Sequence, residues 1–152
     1  MRKLTLVLIA VTIPFIALAG PARAAGGLDL TTCAGDGGLA TVPAGVPVTV
    51  EIAWLDSSSS LVRHFLRLQT TTASRDGVPV AGASELWGPA TDMGGAWMTT
   101  WSHGIGVLDQ PGDSATVSLG IELDKRLRSG DKSFYGPGSV TEGPITCTIT
   151  AV

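Results

Sequence analysis

Residues Ser114-Ala115-Thr116-Val117-Ser118-Leu119-Gly120-Ile121-Glu122-Leu123 alternate between small or polar side chains and apolar ones. In an extended chain successive side chains point to opposite faces, so Ala115, Val117, Leu119, Ile121 and Leu123 share one apolar face. A strand with one dry and one wet face belongs to an antiparallel sheet packed on one side. The same period recurs at Val46, Val48, Val50, Ile52 and Trp54, and again at Ile145, Cys147, Ile149 and Ala151. Trp97, Thr99, Trp101, His103, Ile105 and Val107 form another apolar-leaning stripe, and residues 62–70 read as a further strand. Helical periodicity is almost absent. The expected fold is all-β, an antiparallel two-sheet β-sandwich of jelly-roll or immunoglobulin-like topology.

Turn chemistry separates these runs at Asp36-Gly37-Gly38, Asp76-Gly77, Gly94-Gly95, Gln110-Pro111-Gly112-Asp113 and Ser129-Gly130-Asp131, and the run Ser57-Ser58-Ser59-Ser60 reads as a flexible hairpin loop. These residues accept turn dihedrals or bond their own backbone. Their spacing predicts roughly seven to nine strands. Residues 135–144, with three Gly and two Pro, read as a loop.

The chain of 152 residues opens with Arg2 and Lys3, an uncharged apolar run over residues 4–18, and Ala22-Arg23-Ala24 before Ala25. A positive start, a short apolar run and small residues at −3 and −1 form the secretory signal-peptide pattern. The run is shorter than the ~20 residues a bilayer needs. The expected division is therefore a signal peptide over 1–24, cleaved near Ala24, and a single secreted β-sandwich domain over 25–152 with no membrane span. The whole chain carries a formal charge of −3, and after cleavage seven basic residues face thirteen acidic ones. Nucleic acid is not an expected partner, because neutralising phosphates needs a basic excess. Arg outnumbers Lys seven to three, a bias expected of a GC-rich bacterial genome.

The only cysteines, Cys33 and Cys147, lie near the two ends of the mature chain. In an oxidising compartment they have one possible pairing, which would fasten the first strand to the last. No Cys-x-x-Cys spacing points to thiol chemistry, and two histidines with two oxidised cysteines supply too few donors for zinc. Asp109 and Asp113 flank one turn, and Asp29, Asp36 and Asp92 lie in others, but no Asp-x-Asp-x-Asp-Gly loop marks a calcium site. Neither metal nor cofactor is expected.

The segment Arg75-Asp76-Gly77-Val78-Pro79-Val80, the corner Leu108-Asp109-Gln110-Pro111-Gly112-Asp113 before a regular strand, and the closing strand over residues 145–152 resemble the jelly-roll domains of the tumour-necrosis-factor and complement-globular-head type, including bacterial and phage-tail relatives. The resemblance spans about two-thirds of the mature chain. It implies a two-sheet jelly roll, often trimeric, that binds proteins or glycans.

On the strand expected over 62–70, Arg63, Phe65 and Arg67 would line the outer face, where a ring between two guanidinium groups stacks on a sugar and grips an anion. His64 would face inward with Val62, Leu66 and Leu68. Trp54, and one of Trp97 and Trp101, are expected in the core. Trp87, in Leu86-Trp87-Gly88-Pro89, is either presented to a partner or folded back over the sandwich, with Met93 and Met98 nearby. The candidate contacts are thus Arg63, Phe65, Arg67, Trp87 and Trp97. No Gly-x-Ser-x-Gly elbow accompanies His64 or His103 to suggest a hydrolase. The expected function is non-enzymatic binding of an extracellular protein or glycan. The alternatives are an assembly subunit and, below that, a small secreted hydrolase.

Overall fold

The alternation at residues 114–123 is realised in space: Ala115, Val117, Leu119, Ile121 and Leu123 are all buried. The structure is a computed structural model and describes residues 27–152, so the leader expected over 1–24 lies outside the described residues. In chain order the elements are β1 (Gly27–Asp29), α1 (Leu30–Gly35), β2 (Leu39–Val42), β3 (Pro47–Asp56), α2 (Ser59–Leu68), β4 (Gln69–Arg75) and β5 (Val78–Pro79). A single turn of 3-10 helix (Ala83–Leu86) precedes β6 (Thr91–Asp92), β7 (Trp97–Val107), β8 (Ser114–Leu123), β9 (Leu127–Arg128), β10 (Phe134–Tyr135), β11 (Gly138–Ser139) and β12 (Ile145–Ala151). The segment over 135–144 expected as a loop therefore holds β11 and the end of β10.

One sheet has the order β1-β3-β7-β6 and the other β2-β12-β8-β4-β5, with β11 pairing β8. The long pairings β3/β7, β4/β8 and β8/β12 are antiparallel, while the edge strands β1 and β2 pair parallel to β3 and β12. With β1 as A, β3 as B, β4 as C, β5 as C′, β6 as D, β7 as E, β8 as F and β12 as G, this is A-B-E-D facing G-F-C with an added C′ and with β2 beside G, the immunoglobulin-type order. Of the two topologies expected, the strand order is that of the immunoglobulin-like one. The β4/β5 hairpin turns on Asp76 and Gly77, at φ 51° and 78°. Two positive φ values make the primed turn that matches strand twist, and Asp-Gly is a sequence suited to it.

Val48, Val50, Ile52, Trp101 and Ile105 from the first sheet meet the buried face of β8 with Cys147, Ile149 and Ala151 from the second. The sandwich is bridged by the Cys33–Cys147 disulfide, with Cα atoms 5.9 Å apart. Its first cysteine sits on α1 rather than on the first strand. Asp29 starts that helix by accepting from the backbone N–H groups of Thr31 and Thr32. The Thr31 hydroxyl, with these backbone donors, holds the Asp29 carboxyl below its ordinary value, as expected when the charged form is the hydrogen-bonded one.

The largest departure is in the strand expected over 62–70: residues 62–68 belong to helix α2 and only Gln69 and Thr70 are extended, as the start of β4. Ser58 caps the helix by accepting from Leu61 N–H, so the serine run is a cap and a first turn rather than a hairpin loop. Val62 and Phe65 fall on one helical face and are fully buried, whereas Arg63 and Arg67, four apart, are exposed. The outer face proposed for Arg63, Phe65 and Arg67 on a strand therefore does not exist. His64 and Leu66 are half-buried flanks of the helix. Both periods were available in Leu61-Val62-Arg63-His64-Phe65-Leu66-Arg67-Leu68, and the helical one wins because it alone puts Phe65 inside.

Candidate functional site

Trp54 on β3 is the platform from which one end of the molecule is built. Phe65 of α2 stacks on it with centroids 4.3 Å apart and planes within 2°, and Tyr135 of β10 meets it edge-on at 5.1 Å. Tyr135 and the fully buried Leu127 are the inward residues of the β9/β10 hairpin. Strand alternation then turns Arg126, Arg128 and Phe134 outward. The Arg126 guanidinium lies over the Phe134 ring, 3.9 Å from its centroid, with that of Arg128 at 6.0 Å. Phe134 nevertheless stays 52% exposed.

A buried carboxylate ties this hairpin to the helix. Asp56 Oδ1 accepts from Ser57 N–H (2.7 Å) and Gly130 N–H (3.0 Å), and Oδ2 accepts from the Ser129 hydroxyl (3.0 Å). Gly130 approaches so closely that a Cβ there would stand 1.9 Å from Ser57 Oγ and 2.9 Å from Asp56 Oδ1. We expect Gly130→Ala to cost about 1–3 kcal/mol by overpacking. Ser57→Gly in the same chain should restore part of it; urea denaturation of the single and double variants measures both, and an unperturbed single variant contradicts the close approach. Within the turn, Asp131 accepts from Ser133 N–H at 2.8 Å, which holds its carboxyl below the ordinary value.

Helix α2 packs against β9, so Arg63 and Arg67 join Lys125, Arg126, Arg128 and Lys132 at this end. Six of the seven cations of the described residues are gathered on α2 and on 124–132 with two exposed carboxylates, Asp124 and Asp131. Outside this end, Arg75 is the one described cation against ten carboxylates. The one ion pair among the described residues is also Arg75's, its Nε 3.4 Å from Asp76 Oδ2. Among the described residues the six clustered cations therefore form no ion pair with a carboxylate, in a domain with thirteen acidic residues. No known protein family, curated protein or solved structure matches this chain.

The other residues singled out from sequence are placed as follows. Phe65 is core, as above. Trp87 is half-buried: its Nε1 donates to Thr71 Oγ1 at 2.9 Å and its ring meets Phe65 edge-on at 5.0 Å, so it folds back over the sandwich. Of the two paired tryptophans Trp101 is the core residue, donating from Nε1 to Ala83 O, whereas Trp97 is half-buried at the start of β7. Asp92 and Asp113 each accept a backbone N–H in their own turns. Among the described residues no three His, Cys, Asp or Glu side chains are grouped to hold a metal ion.

His103 is half-buried in a cleft of about 460 Å³ with Arg75, Asp76, Val78, Pro79, Val80 and Ala81. The Arg75 guanidinium there donates to Ile105 O. No serine or cysteine lines it to act as a nucleophile. Phe134 was not singled out from sequence. The signal was present, since Leu127-Arg128 and Phe134-Tyr135 flank the Ser129-Gly130-Asp131 turn with matching in-out order.

Proposed function

We propose that this chain is a secreted, non-catalytic binding module that holds an acidic extracellular partner, protein or glycan, against the end formed by α2 and the β9/β10 hairpin. The observation that carries this reading is the gathering of six unpaired cations around an exposed Phe134 in an otherwise acidic domain. Like charges held together repel one another and weaken the fold, so their concentration without counter-charges favours a role that uses the field. A long-loop disulfide, and the absence of any described helix long and apolar enough to cross a membrane, fit an extracellular setting.

The test is binding of the mature chain to polygalacturonate and to poly-glutamate at low salt, by titration with either polymer. Arg126→Ala with Arg128→Ala removes two exposed guanidinium groups whose loss leaves the core untouched. The double variant should bind about tenfold or more weakly, since a charge-assisted hydrogen bond is worth ~1.5–3 kcal/mol. Binding of the native chain should fade as added salt shortens the screening length toward about 8 Å at physiological strength. No binding to either polymer at low salt, or equal binding by the double variant, removes this end as the contact surface.

A further inference from the structure

We infer that the occupant of the basic end is an acidic polysaccharide, with one sugar ring laid on Phe134 and its anionic group held by Arg126 and Arg128. This deepens the proposed function and rests on it. The ring and the guanidinium are two distinct chemistries held at one spot. Phe134 is 52% exposed, with the Arg126 guanidinium centre over one face of its ring, 3.9 Å from the centroid, so the sugar is assigned to the ring surface that Arg126 leaves uncovered. A ligand that uses both must carry an apolar face and an anion on one rigid unit only a few ångströms across. A uronic or phosphorylated sugar does so: its ring C–H groups form a flat apolar face, and its carboxylate or phosphate projects from the same ring. In an acidic peptide the carboxylates and any apolar face ride on separate flexible side chains, which must be ordered at an entropic cost when they bind.

The shape of the surface selects a polymer over a small acid. Arg126, Arg128 and Phe134 project outward from a two-stranded hairpin. A single sugar acid on such an open surface would be bound by few contacts. Helix α2, which packs against β9, carries the exposed Arg63 and Arg67, so a polymer that continues from the hairpin onto α2 would add contacts from successive anionic units without each bearing the full cost of association. The two exposed carboxylates at this end, Asp124 and Asp131, lower its net positive charge.

The probes are polygalacturonate (sugar and carboxylate together), dextran (sugar without charge), poly-glutamate (carboxylate without sugar) and inorganic polyphosphate (anion without sugar). The native chain and two variants, Phe134→Ala and Phe134→Trp, are titrated with each at low salt. Phe134 is exposed, so neither variant should disturb the core, and unchanged thermal unfolding checks this. The expected result is that polygalacturonate binds most tightly and dextran weakest. Phe134→Ala should lower affinity for polygalacturonate about fivefold or more while changing poly-glutamate and polyphosphate less than twofold, and Phe134→Trp should retain the sugar preference. Equal affinity for polygalacturonate and poly-glutamate, with Phe134→Ala acting alike on both, overturns the sugar assignment and leaves the basic end as a general acidic-partner surface. Failure of all three polyanions to bind overturns both readings together.

Discussion

Replacing Cys33 and Cys147 together by alanine is expected to lower the stability of the domain by about 4–5 kcal/mol. The two residues are 114 apart in sequence, so the bond closes nearly the whole described chain into one loop and removes much of the freedom of the unfolded state. The site of the bond adds to this. Cys33 and Cys147 are both buried in the core, and α1 packs between β3 of one sheet and β12 of the other. Without the bond, α1 is held by Leu30 and by the Asp29 cap, and six residues are too few for a helix to persist alone. The midpoint of thermal unfolding should fall by about 15–25 °C for a domain of this size. Reduction of the native chain with dithiothreitol should reproduce the loss. A midpoint that moves by only a degree or two under both treatments would show that the bond contributes little.

Phe65→Ala is expected to cost about 3–5 kcal/mol, the range for truncating a buried aromatic side chain. Its ring is fully buried, stacked on Trp54 and met edge-on by Trp87, so its removal takes away contacts with both tryptophans at once. Arg63→Ala and Arg67→Ala, on the exposed side of the same helix, should each change stability by no more than about 0.5 kcal/mol. Had residues 62–70 formed a strand with Phe65 outside, all three substitutions would be mild. Urea denaturation followed by tryptophan fluorescence separates these outcomes, since Trp54 and Trp87 both report on Phe65. A loss below ~1 kcal/mol for Phe65→Ala would contradict the packing described.

Much of the sandwich was legible because its strands are long and one face of each is dry. Val48, Val50 and Ile52, the stripe at 115–123, and Cys147, Ile149 and Ala151 are core as their periods require, whereas Val46 at the start of its stripe is exposed and Trp54 and Ile145 are half-buried. The turn at Asp76-Gly77 was legible for an equally local reason, the tolerance of both residues for positive φ. Residues 61–68 are ambiguous in sequence, because Val62, Leu66 and Leu68 satisfy a period of two while Leu61, Val62, Phe65 and Leu66 satisfy a period near 3.6. Ser58 in the cap position was the signal that favoured the helix.

The candidate site was legible only in pieces. The basic residues at 125–132 are visible in the chain, with Asp124 and Asp131 beside them. Their significance comes from α2, which brings Arg63 and Arg67 to the same end, and from Asp56, which fixes the turn from below through Ser129 and Gly130 across a separation of more than seventy residues. Phe134 takes its place as the exposed ring between two guanidinium groups that the strand reading had assigned to Phe65. The chemistry expected at residues 63–67 reappears on the β9/β10 hairpin.

The sequence by itself determined what local periodicity and counting can: alternating strands with one buried face, the single possible cysteine pairing and the acidic balance. Tertiary structure decided whether residues 59–68 coil or extend, and where the cations collect. Local preferences between helix and strand differ by only tenths of a kcal/mol per residue, whereas burying a Phe side chain is worth about 1.5–3 kcal/mol. The Trp54 platform therefore settles the choice. An electrostatic field depends on distances in space rather than along the chain, and packing α2 against β9 turns a mildly acidic sequence into a domain with one basic end.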